Sequence, residues 1–360
     1  MSKKIRIAIA GVGNCASSLV QGIEHYRTRD DKNSIGLLHP VLAGYRVSDI
    51  EVIVAFDIDR RKVGKHLSDA VFALPNNTAV FCPLARGVGP IVLPGPVLDG
   101  IPSHMRNFPS EQRFEPIDAA SVDVAASLRA HDVDVLVNYM PVGAQQATEH
   151  YAQACIDSHV AMVNCVPVLI ASDPQWARRF SEAHLPVVGD DIKAQVGATI
   201  THRTLARLFQ DRGVSITSTY QLNTGGNTDF LNMLARERLD TKKLSKTQAV
   251  QSQLDTPLPA NQIHIGPSDY IPFLKDNKVC FLRIEGQGFG GVPMNLEMRL
   301  SVEDSPNSAG VVVDAIRAAA LAKHLGLSGP IHPASAWCMK HPPIQTTDAQ
   351  AKIDFENFIA

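Results

Sequence analysis

Three lysines lie close together in the stretch "DTKKLSKTQA", residues 240–249. Lys242 and Lys246 are four residues apart, so on a helix they share one face, whereas Lys243 lies on another. Lysines bind phosphate, stabilise oxyanions, or act as general acids and bases when burial and neighbouring cations lower their pKa. The pattern alone leaves three interpretations open: a solvated surface, a phosphate site or a catalytic cluster.

Carboxylates and further lysines occur at the predicted ends of strands and helices. "VVGDDIKAQ" places Asp190, Asp191 and Lys193 at the C-terminal end of a predicted parallel strand, the edge at which open α/β sheets bind ligands. Similar groups follow a later strand, precede a helix or end an apolar run: Asn227, Asp229, Asp304 and Lys340. Each alone is typical of a surface ion pair or a helix cap. Together they indicate a substrate with phosphate and hydroxyl groups.

A glycine turn follows the first predicted strand in "IAIAGVGNCASSLV". Gly11 and Gly13 would allow a tight turn and close approach of a pyrophosphate to a helix N-terminus, with Ala16 as the third small residue. "VIVAFDID" ends the second strand at Asp57, which could accept hydrogen bonds from a ribose 2′-OH; an insertion at 27–47 explains its longer than usual spacing. A carboxylate there disfavours a 2′-phosphate, so the pattern predicts NAD over NADP. The alternative is a structural glycine turn with Asp57 as a plain helix cap.

Strand and helix patterns alternate through the first half of the chain, as in right-handed crossovers of a parallel sheet. The stretch 82–110 interrupts this alternation, because it is too rich in Gly and Pro for regular structure. After about residue 213 longer strand patterns dominate, and a long helix is predicted to start at Ser305. We therefore predict an α/β fold: a Rossmann-type doubly wound sheet formed by 1–195 and 305–360, with a second α+β domain inserted before a C-terminal return. That second domain, residues 196–304, is expected to serve catalysis and oligomerisation.

The composition excludes several classes of protein. Over 360 residues, 45% are hydrophobic and 19% are charged, which is typical of a globular protein. The formal net charge of −2 does not favour nucleic acid as a partner. The six cysteines form no C-x-x-C pair, and no apolar run approaches the ~18–20 residues of a membrane span. We expect a cytoplasmic protein with reduced thiols and no membrane partner.

Motifs spread along almost the whole chain resemble one family. They are "GVGNCASSLVQGIE", "LPNNTAVF", "NYMPVGAQQA", "SDPQWA", "GDDIKAQVGATITHR", "NTGGNTDFLNM", "KLSKTQAV", "HIGPSDY" and "DSPNSAGVVVDAIRAA". In these motifs the sequence resembles the shorter prokaryotic form of myo-inositol-1-phosphate synthase (inositol-3-phosphate synthase). The resemblance includes the insertions and so does not depend on the glycine turn alone.

The resemblance implies an isomerase that converts D-glucose 6-phosphate to 1D-myo-inositol 3-phosphate, the first step of inositol biosynthesis. NAD would oxidise C5 of the open-chain sugar phosphate, and the resulting ketone would acidify C6. The C6 enolate would attack the C1 aldehyde in an intramolecular aldol reaction, and NADH would return its hydride to C5, without net redox change. Such a path needs cations for developing oxyanions, proton shuttles and exclusion of water.

The resemblance also assigns roles to individual residues. The implied catalytic residues are Lys242, Lys246, Lys278, Lys340, Asp191, Asp229 and Asp304, and the implied substrate-binding residues are Lys193 and Asn227. The implied cofactor-binding residues are Gly11, Gly13, Asn14, Cys15, Ala16, Ser17, Asp57, Asn76, Asn77, Thr78, Pro141, Tyr151, Asn164, Asp190, Ala194, Ala198, Thr199, Asp229 and Lys242. On this interpretation Lys242 and Lys246 take part in the chemistry, while Lys243 faces solvent.

Two positions depart from the family pattern. Ala194 stands where relatives often have a serine, which leaves only backbone contacts there, and His66 stands where an acid is common. The resemblance further implies a homotetramer built through the second domain. Some family members hold a mono- or divalent cation near the nicotinamide, and the sequence does not identify one here.

Two other functions share parts of this pattern. An NAD-dependent dehydrogenase of a small sugar acid or amino acid would have the same glycine turn and two-domain layout, but it would release NADH. A non-enzymatic NAD-responsive regulator would not need four lysines and three aspartates in the second domain and return segments, and no DNA-reading helix is evident.

Overall fold

Thirteen strands and eleven helices are formed by the part of the chain that the structure describes. The structure is a computed structural model and describes residues 4–29, 34–235 and 247–360. The strands are β1 (Ile5–Ala10), β2 (Val41–Leu42), β3 (Tyr45–Arg46), β4 (Ile50–Asp57), β5 (Val92–Pro94), β6 (Val135–Asn138), β7 (Ala161–Asn164), β8 (Pro186–Val188), β9 (Ser215–Gly225), β10 (Ile263–Tyr270), β11 (Asn277–Gln287), β12 (Pro293–Glu303) and β13 (Gly329–Pro330). The helices are α1 (Asn14–Arg27), α2 (Leu67–Ala70), α3 (Val124–Ala130), α4 (Gln145–Ser158), α5 (Pro174–Glu182), α6 (Ala198–Asp211), α7 (Thr228–Asn232), α8 (247–251), α9 (Asp304–His324), α10 (His332–Cys338) and α11 (Asp348–Ile359).

Seven parallel strands form the larger sheet, in the order β13-β8-β7-β6-β1-β4-β5. The chain runs outward from β1 to β4 and β5, then crosses to β6 on the other side of β1. The crevice between the C-terminal ends of β1 and β6 is therefore the point where the strand order reverses, which is where doubly wound sheets bind ligands. This arrangement confirms the predicted Rossmann-type fold.

Helices cover both faces of this sheet because its central strands are apolar on both sides. One core layer lies between the sheet and α1, α9, α10 and α11. The other lies between the sheet and α3, α4 and α5. The predicted return of the chain is confirmed, since α9 packs against α1 and β13 pairs with β8 at the edge of the sheet.

A second sheet has four strands in the order β10-β9-β11-β12. β10 pairs with β9 in parallel, and the other two pairs are antiparallel. Ala206 and Phe209 of α6 pack into the core of this second sheet, together with Leu282 and Ile284 of β11. The apolar face of α6 therefore covers the second sheet, although the helix follows β8 of the parallel sheet in the chain.

Several elements were not predicted, and four of them are strands interrupted or bounded by turn residues. β5 lies in the Gly- and Pro-rich stretch and pairs with β4 over only three residues, Ala55–Asp57. β2 and β3 form a small hairpin within the 27–47 insertion. β10 was missed because its pattern, "IHIGPSDY", contains Gly and Pro.

None of the helices in the described ranges is both long and apolar enough to cross a membrane. The six cysteines, all of which are described, form no disulfide.

Candidate active site

Four helices begin at one cavity between the C-terminal edge of the parallel sheet and the second sheet. They are α1, α6, α7 and α9, each of which contributes residues of its first turn to the cavity wall. α1 and α6 follow Gly13 and Gly197, and no side chain of the described residues caps the first N–H groups of either helix. Uncapped N–H groups and the helix dipole favour anions. The cavity is therefore suited to phosphate groups.

Lys340 and Asp191 form an ion pair on the cavity wall. Nζ of Lys340 lies 2.9 Å from Oδ1 of Asp191, and the two side chains are 17% and 5% exposed. The backbone fixes both residues, because the N–H of Lys340 donates to the carbonyl of Asp191 (2.7 Å) and the N–H of Lys193 donates to the carbonyl of Cys338 (2.8 Å). The pair thus connects the segment after β8 to the segment after α10.

A second ion pair joins Lys278 of β11 to Asp304, the first residue of α9. Nζ of Lys278 lies 3.2 Å from Oδ1 of Asp304 and 5.9 Å from the centre of the Phe230 ring. Burial alone would lower the pKa of Lys278, but Asp304 and then Asp229 outweigh burial and raise the pKa above its usual range. Lys278 is consequently a cation at neutral pH, suited to hold an anion rather than to accept a proton.

Asn227 caps α7 and joins it to the rest of the site. Its Oδ1 accepts hydrogen bonds from the N–H groups of Asp229 (3.0 Å) and Phe230 (3.2 Å). Its Nδ2 donates to Oδ1 of Asp276 (2.8 Å), which also accepts from Nδ2 of Asn14 at 3.0 Å. The predicted substrate-binding residue Asn227 therefore shares a carboxylate partner with a predicted cofactor-binding residue.

The glycine turn has the shape that a dinucleotide requires. Gly11 has φ +94°, and a Cβ there would lie 2.8 Å from the carbonyl oxygen of Tyr139 at the end of β6. At Gly13 an added Cβ would meet nothing within 4 Å, so the backbone there faces open space. This turn, the uncapped start of α1 and the absence of side chains over Gly13 among the described residues fit the pyrophosphate of NAD.

Asp57 is held by the turn itself. Its Oδ2 accepts from the N–H of Val12 (2.7 Å), and its Oδ1 accepts from the N–H groups of Ile58 and Asp59. The buried ammonium of Lys62 lies 3.8 Å from Oδ2 and donates to the carbonyl of Val12 at 2.8 Å. The carboxylate is 9% exposed and carries a structural role in addition to the ribose contact that the sequence predicts.

Asn164 and Asp190 belong to a buried network at the ends of β7 and β8. Nδ2 of Asn164 donates to Oδ1 of Asp190 (2.7 Å), and three backbone N–H groups, those of Ile170, Ala171 and Ser172, donate to the same carboxylate. Burial raises the pKa of Asp190 to about 6 in spite of these donors. Neither residue lies on the wall of the cavity.

Lys193 borders the cavity, but its ammonium is already bonded. Nζ donates to the carbonyl of Ala336 (2.8 Å) and to Oδ1 of Asp348 (3.2 Å), and the side chain is 3% exposed. Burial lowers the pKa of Lys193 to about 8, although Asp348 opposes this shift. The neighbouring Ala194 lies on the same wall.

The structure brings most of the predicted residues to this one cavity. Those on its wall are Gly13, Asn14, Cys15, Asn76, Pro141, Asp191, Lys193, Ala194, Ala198, Thr199, Asn227, Asp229, Lys278, Asp304 and Lys340. Those that lie behind or beside it are Gly11, Ala16, Ser17, Asp57, Asn77, Thr78, Tyr151, Asn164 and Asp190. Lys242, Lys243 and Lys246 lie outside the described residues.

Asp276 and Tyr139 are polar residues of this region that were not predicted. Asp276 is 1% exposed and accepts hydrogen bonds from Asn14, Asn227 and the N–H and hydroxyl groups of Ser305. The only sequence signal for it was an acid between two lysines in "KDNK". Tyr139 lines the cavity, and its buried hydroxyl has no hydrogen-bond partner among the described residues; burial raises the pKa of that hydroxyl.

The described residues do not supply a conventional metal site. Among residues 4–29, 34–235 and 247–360, no group of three or more His, Cys, Asp or Glu side chains is arranged to hold a metal ion. Burial, with smaller effects of Asp276 and Asp304, raises the pKa of the Cys15 thiol to about 12, so it is protonated and a poor ligand.

Comparison with known proteins identifies the family. The family model for myo-inositol-1-phosphate synthase matches residues 197–305. The chain is 54% identical over 359 residues to the inositol-3-phosphate synthase of Mycobacterium tuberculosis (strain ATCC 25618 / H37Rv), covering 99% of this chain and 96% of that protein. It is 52% identical over 361 residues to the inositol-3-phosphate synthase of Corynebacterium glutamicum, covering 99% and 98%.

A solved structure shows the same fold. The crystal structure of a myo-inositol-1-phosphate synthase-related protein from Thermotoga maritima superposes with a TM-score of 0.81 at 24% identity, covering 99% of this chain and 98% of that one. At this identity the likeness is evidence for the fold alone. The full-length identities above show more: the chain belongs to the myo-inositol-1-phosphate synthase family and is an isomerase-type enzyme of the inositol-3-phosphate synthase kind.

Proposed function

We propose that the protein converts D-glucose 6-phosphate to 1D-myo-inositol 3-phosphate and uses NAD that is regenerated within each turnover. The observation that carries this proposal is the placement of two lysine–carboxylate pairs, Lys340–Asp191 and Lys278–Asp304, on one cavity with the glycine turn. Cyclisation of a sugar phosphate develops negative charge on oxygen atoms, which fixed cations stabilise.

The glycine turn is the proposed site for the cofactor. When bound, NAD would supply reversible hydride transfer at C5 of the sugar. Gly13 and the uncapped first turn of α1 would receive its pyrophosphate. Asp57 favours a free ribose hydroxyl over a 2′-phosphate, because its carboxylate would repel the phosphate.

The substrate phosphate is assigned to the start of α6 and to Lys278. The N-terminal residues Ala198 and Thr199 line the cavity, and no side chain caps this helix. Lys278 stays protonated and has a compact charge, which suits a phosphate dianion. A phosphate bound by these two groups would leave the sugar carbons facing Lys340.

The second lysine–carboxylate pair is assigned to the sugar oxygens. Lys340 would donate hydrogen bonds to the oxygen that becomes negatively charged during enolisation and aldol closure, while Asp191 keeps the ammonium in place. Asp229, at the first turn of α7, adds a carboxylate to the same cavity. Proton transfer by Lys242 and Lys246 stays a prediction from the resemblance.

The assembly and location of the protein are also inferred. The second sheet exposes apolar side chains on the face opposite its core, where Leu222 and Phe281 are cross-strand partners, 41% and 44% exposed. Such a face supports a homotetramer built through the second domain, which light scattering coupled to size exclusion would test. The domain limits at 196 and 304 and a cytoplasmic location stay predictions.

The experiment that tests the proposal is incubation of the purified protein with glucose 6-phosphate and NAD, with products resolved by NMR and NADH followed by absorbance. We expect inositol phosphate without net accumulation of NADH. An NAD-dependent dehydrogenase would instead accumulate NADH in proportion to an oxidised product. Accumulation of NADH together with an oxidised product would show that the protein is an NAD-dependent dehydrogenase instead.

A further inference from the structure

Arg203 of α6 is a buried cation outside the proposed reaction site. Its side chain is 1% exposed, and its Nε donates to Oδ2 of Asp348 at 2.9 Å. Its Nη1 donates to the carbonyl of Ala249 (2.7 Å), and its Nη2 donates to the carbonyl of Thr346 (3.0 Å). One guanidinium thus joins α6 to two other segments, at Ala249 and at 346–348, which its fixed fork of five N–H donors makes possible.

The other oxygen of Asp348 extends this contact to the segment that follows β8. Oδ1 of Asp348 accepts from Nζ of Lys193 at 3.2 Å, and Lys193 lies two residues after Asp191. Burial would raise the pKa of Asp348, but Lys193 and Arg203 outweigh burial and lower it, so the carboxylate is ionised at neutral pH. We call Arg203, Asp348 and Lys193 the arginine network.

Two of the segments that the arginine network joins reach the cavity wall. Thr346 belongs to the segment after Lys340, and Nε2 of Gln345 in that segment donates to the carbonyl of Lys340 at 2.8 Å. α6 itself begins at the cavity wall. The third segment, α8, contains Ala249.

We propose that Arg203 and Asp348 are positioning residues, which hold α8, the segment 340–348 and the segment after β8 at Lys193 in one fixed arrangement around the active site. This inference rests on the proposed function, since it assigns the network a purpose through the pair of Lys340 and Asp191. Two buried cations and a carboxylate contribute less to stability than apolar packing would, and breaking such a group leaves an unpaired buried charge. Their value lies in fixing geometry, because reaction rates respond steeply to small displacements of catalytic groups.

The test compares Arg203→Met with Arg207→Met. Arg207 lies one turn further along α6, is 41% exposed and pairs with Asp211 at the surface, so it is a matched control. We expect Arg203→Met to lower kcat by ~10²-fold, the scale of a displacement of about 1 Å in an active site, while NAD affinity changes by less than about threefold because the glycine turn is outside the network. Arg207→Met should match the wild type in kcat and in NAD affinity.

Chemical rescue separates positioning from general loss of structure. Millimolar guanidinium should restore part of kcat to Arg203→Ala, and tetramethylammonium, which cannot donate hydrogen bonds, should not. Arg203→Lys replaces Arg203→Met and Arg203→Ala if they do not fold, because it keeps the charge but loses the forked set of N–H donors. We expect Arg203→Lys to have a lowered kcat and an unchanged NAD affinity. Wild-type kcat in the folded variants, with only the melting temperature lowered, would overturn the inference.

Hydrogen exchange distinguishes failure of this inference from failure of the proposed function. In Arg203→Met, amide exchange should accelerate in peptides that cover 247–252 and 340–348, and it should stay unchanged in peptides that cover 5–27. This readout does not require turnover. A wild-type protein that makes no inositol phosphate would refute the proposed function, whereas unchanged exchange in both segments would refute the arginine network.

Discussion

The ammonium of Lys340 lies 2.9 Å from the carboxylate of Asp191, and backbone hydrogen bonds on both sides of the pair fix this distance. The two residues are 149 positions apart in the chain. Asp191 has φ +62°, a strained conformation for a residue other than glycine, which the surrounding segments impose. Strain of this kind is often found where a side chain must be aimed at a reacting group.

Lys340→Met should abolish most turnover. Without the ammonium the developing oxyanion loses a fixed cation, and we expect kcat to fall by ~10²-fold or more. Lys352→Met is the control, since Lys352 is a half-exposed lysine of α11 that pairs with Glu356. Steady-state kinetics with glucose 6-phosphate give kcat for both variants. A wild-type kcat in Lys340→Met would show that this lysine takes no part in the reaction.

Asp304→Asn should change the pH dependence of the enzyme. Asp304 is the main group that keeps the pKa of Lys278 above its usual range, so its loss lowers that pKa. A raised pKa in the folded state contributes stability below the unfolded pKa, and this contribution is lost as the pH rises through the folded pKa. The variant lacks this contribution, so its deficit in stability against the wild type should shrink as the pH rises, whereas its kcat/KM should fall at a lower alkaline pH than that of the wild type.

The alkaline limb of the pH–rate profile and chemical unfolding at several alkaline pH values measure this effect. Asp255→Asn is a suitable control, because Asp255 is 75% exposed and contacts only the surface residue Arg207 among the described residues. Superimposable alkaline limbs for Asp304→Asn and the wild type would show that Lys278 does not need this partner.

Gly11→Ala and Gly13→Ala should separate folding from cofactor binding. At Gly11 a methyl group would lie 2.8 Å from a backbone carbonyl at φ +94°, so we expect the free energy of unfolding to fall by about 1–3 kcal/mol. At Gly13 a methyl group would meet no protein atom within 4 Å. Gly13→Ala should change stability by no more than about 1 kcal/mol, as for a poorer N-cap, but weaken NAD binding at least tenfold.

Denaturant titration and calorimetric NAD titration measure these two quantities in the same preparations. If Gly13→Ala binds NAD as tightly as the wild type does, the pyrophosphate does not pass over this turn. The alternative of a purely structural glycine turn would then be correct.

Asp57→Asn should weaken NAD binding several-fold and also destabilise the protein. The carboxylate accepts three backbone N–H groups as well as facing the proposed ribose site, and an amide can replace only part of these contacts. NAD titration of the folded variant checks the first effect and thermal unfolding the second. Wild-type NAD affinity in a destabilised variant would leave Asp57 with the structural role alone.

The sequence predicted the fold well because the strands and helices of the parallel sheet have strong local patterns. α9 begins at Asp304, one residue before the predicted Ser305. β5 was missed because only its three pairs with β4 make it a strand, and no local pattern encodes such pairing.

The candidate site residues were predicted largely through the resemblance, and the structure explains why local patterns could not indicate others that lie beside them. Asp276 stands out only because Asn14, Asn227 and Ser305 converge on it from distant parts of the chain. No local pattern marks Arg203, since its partners Ala249 and Asp348 are remote in sequence. Contacts of this range follow from the assembled fold alone.

In the proposed reaction, one active site removes the hydride from C5 and returns the same hydride while these residues hold the sugar phosphate. Glucose 6-phosphate labelled with deuterium at C5 tests this reaction most directly, with unlabelled NAD present and the product analysed by NMR. We expect inositol phosphate that retains deuterium on the carbon derived from C5, with no deuterium released into free NADH. Deuterium in free NADH together with an oxidised sugar phosphate would contradict it.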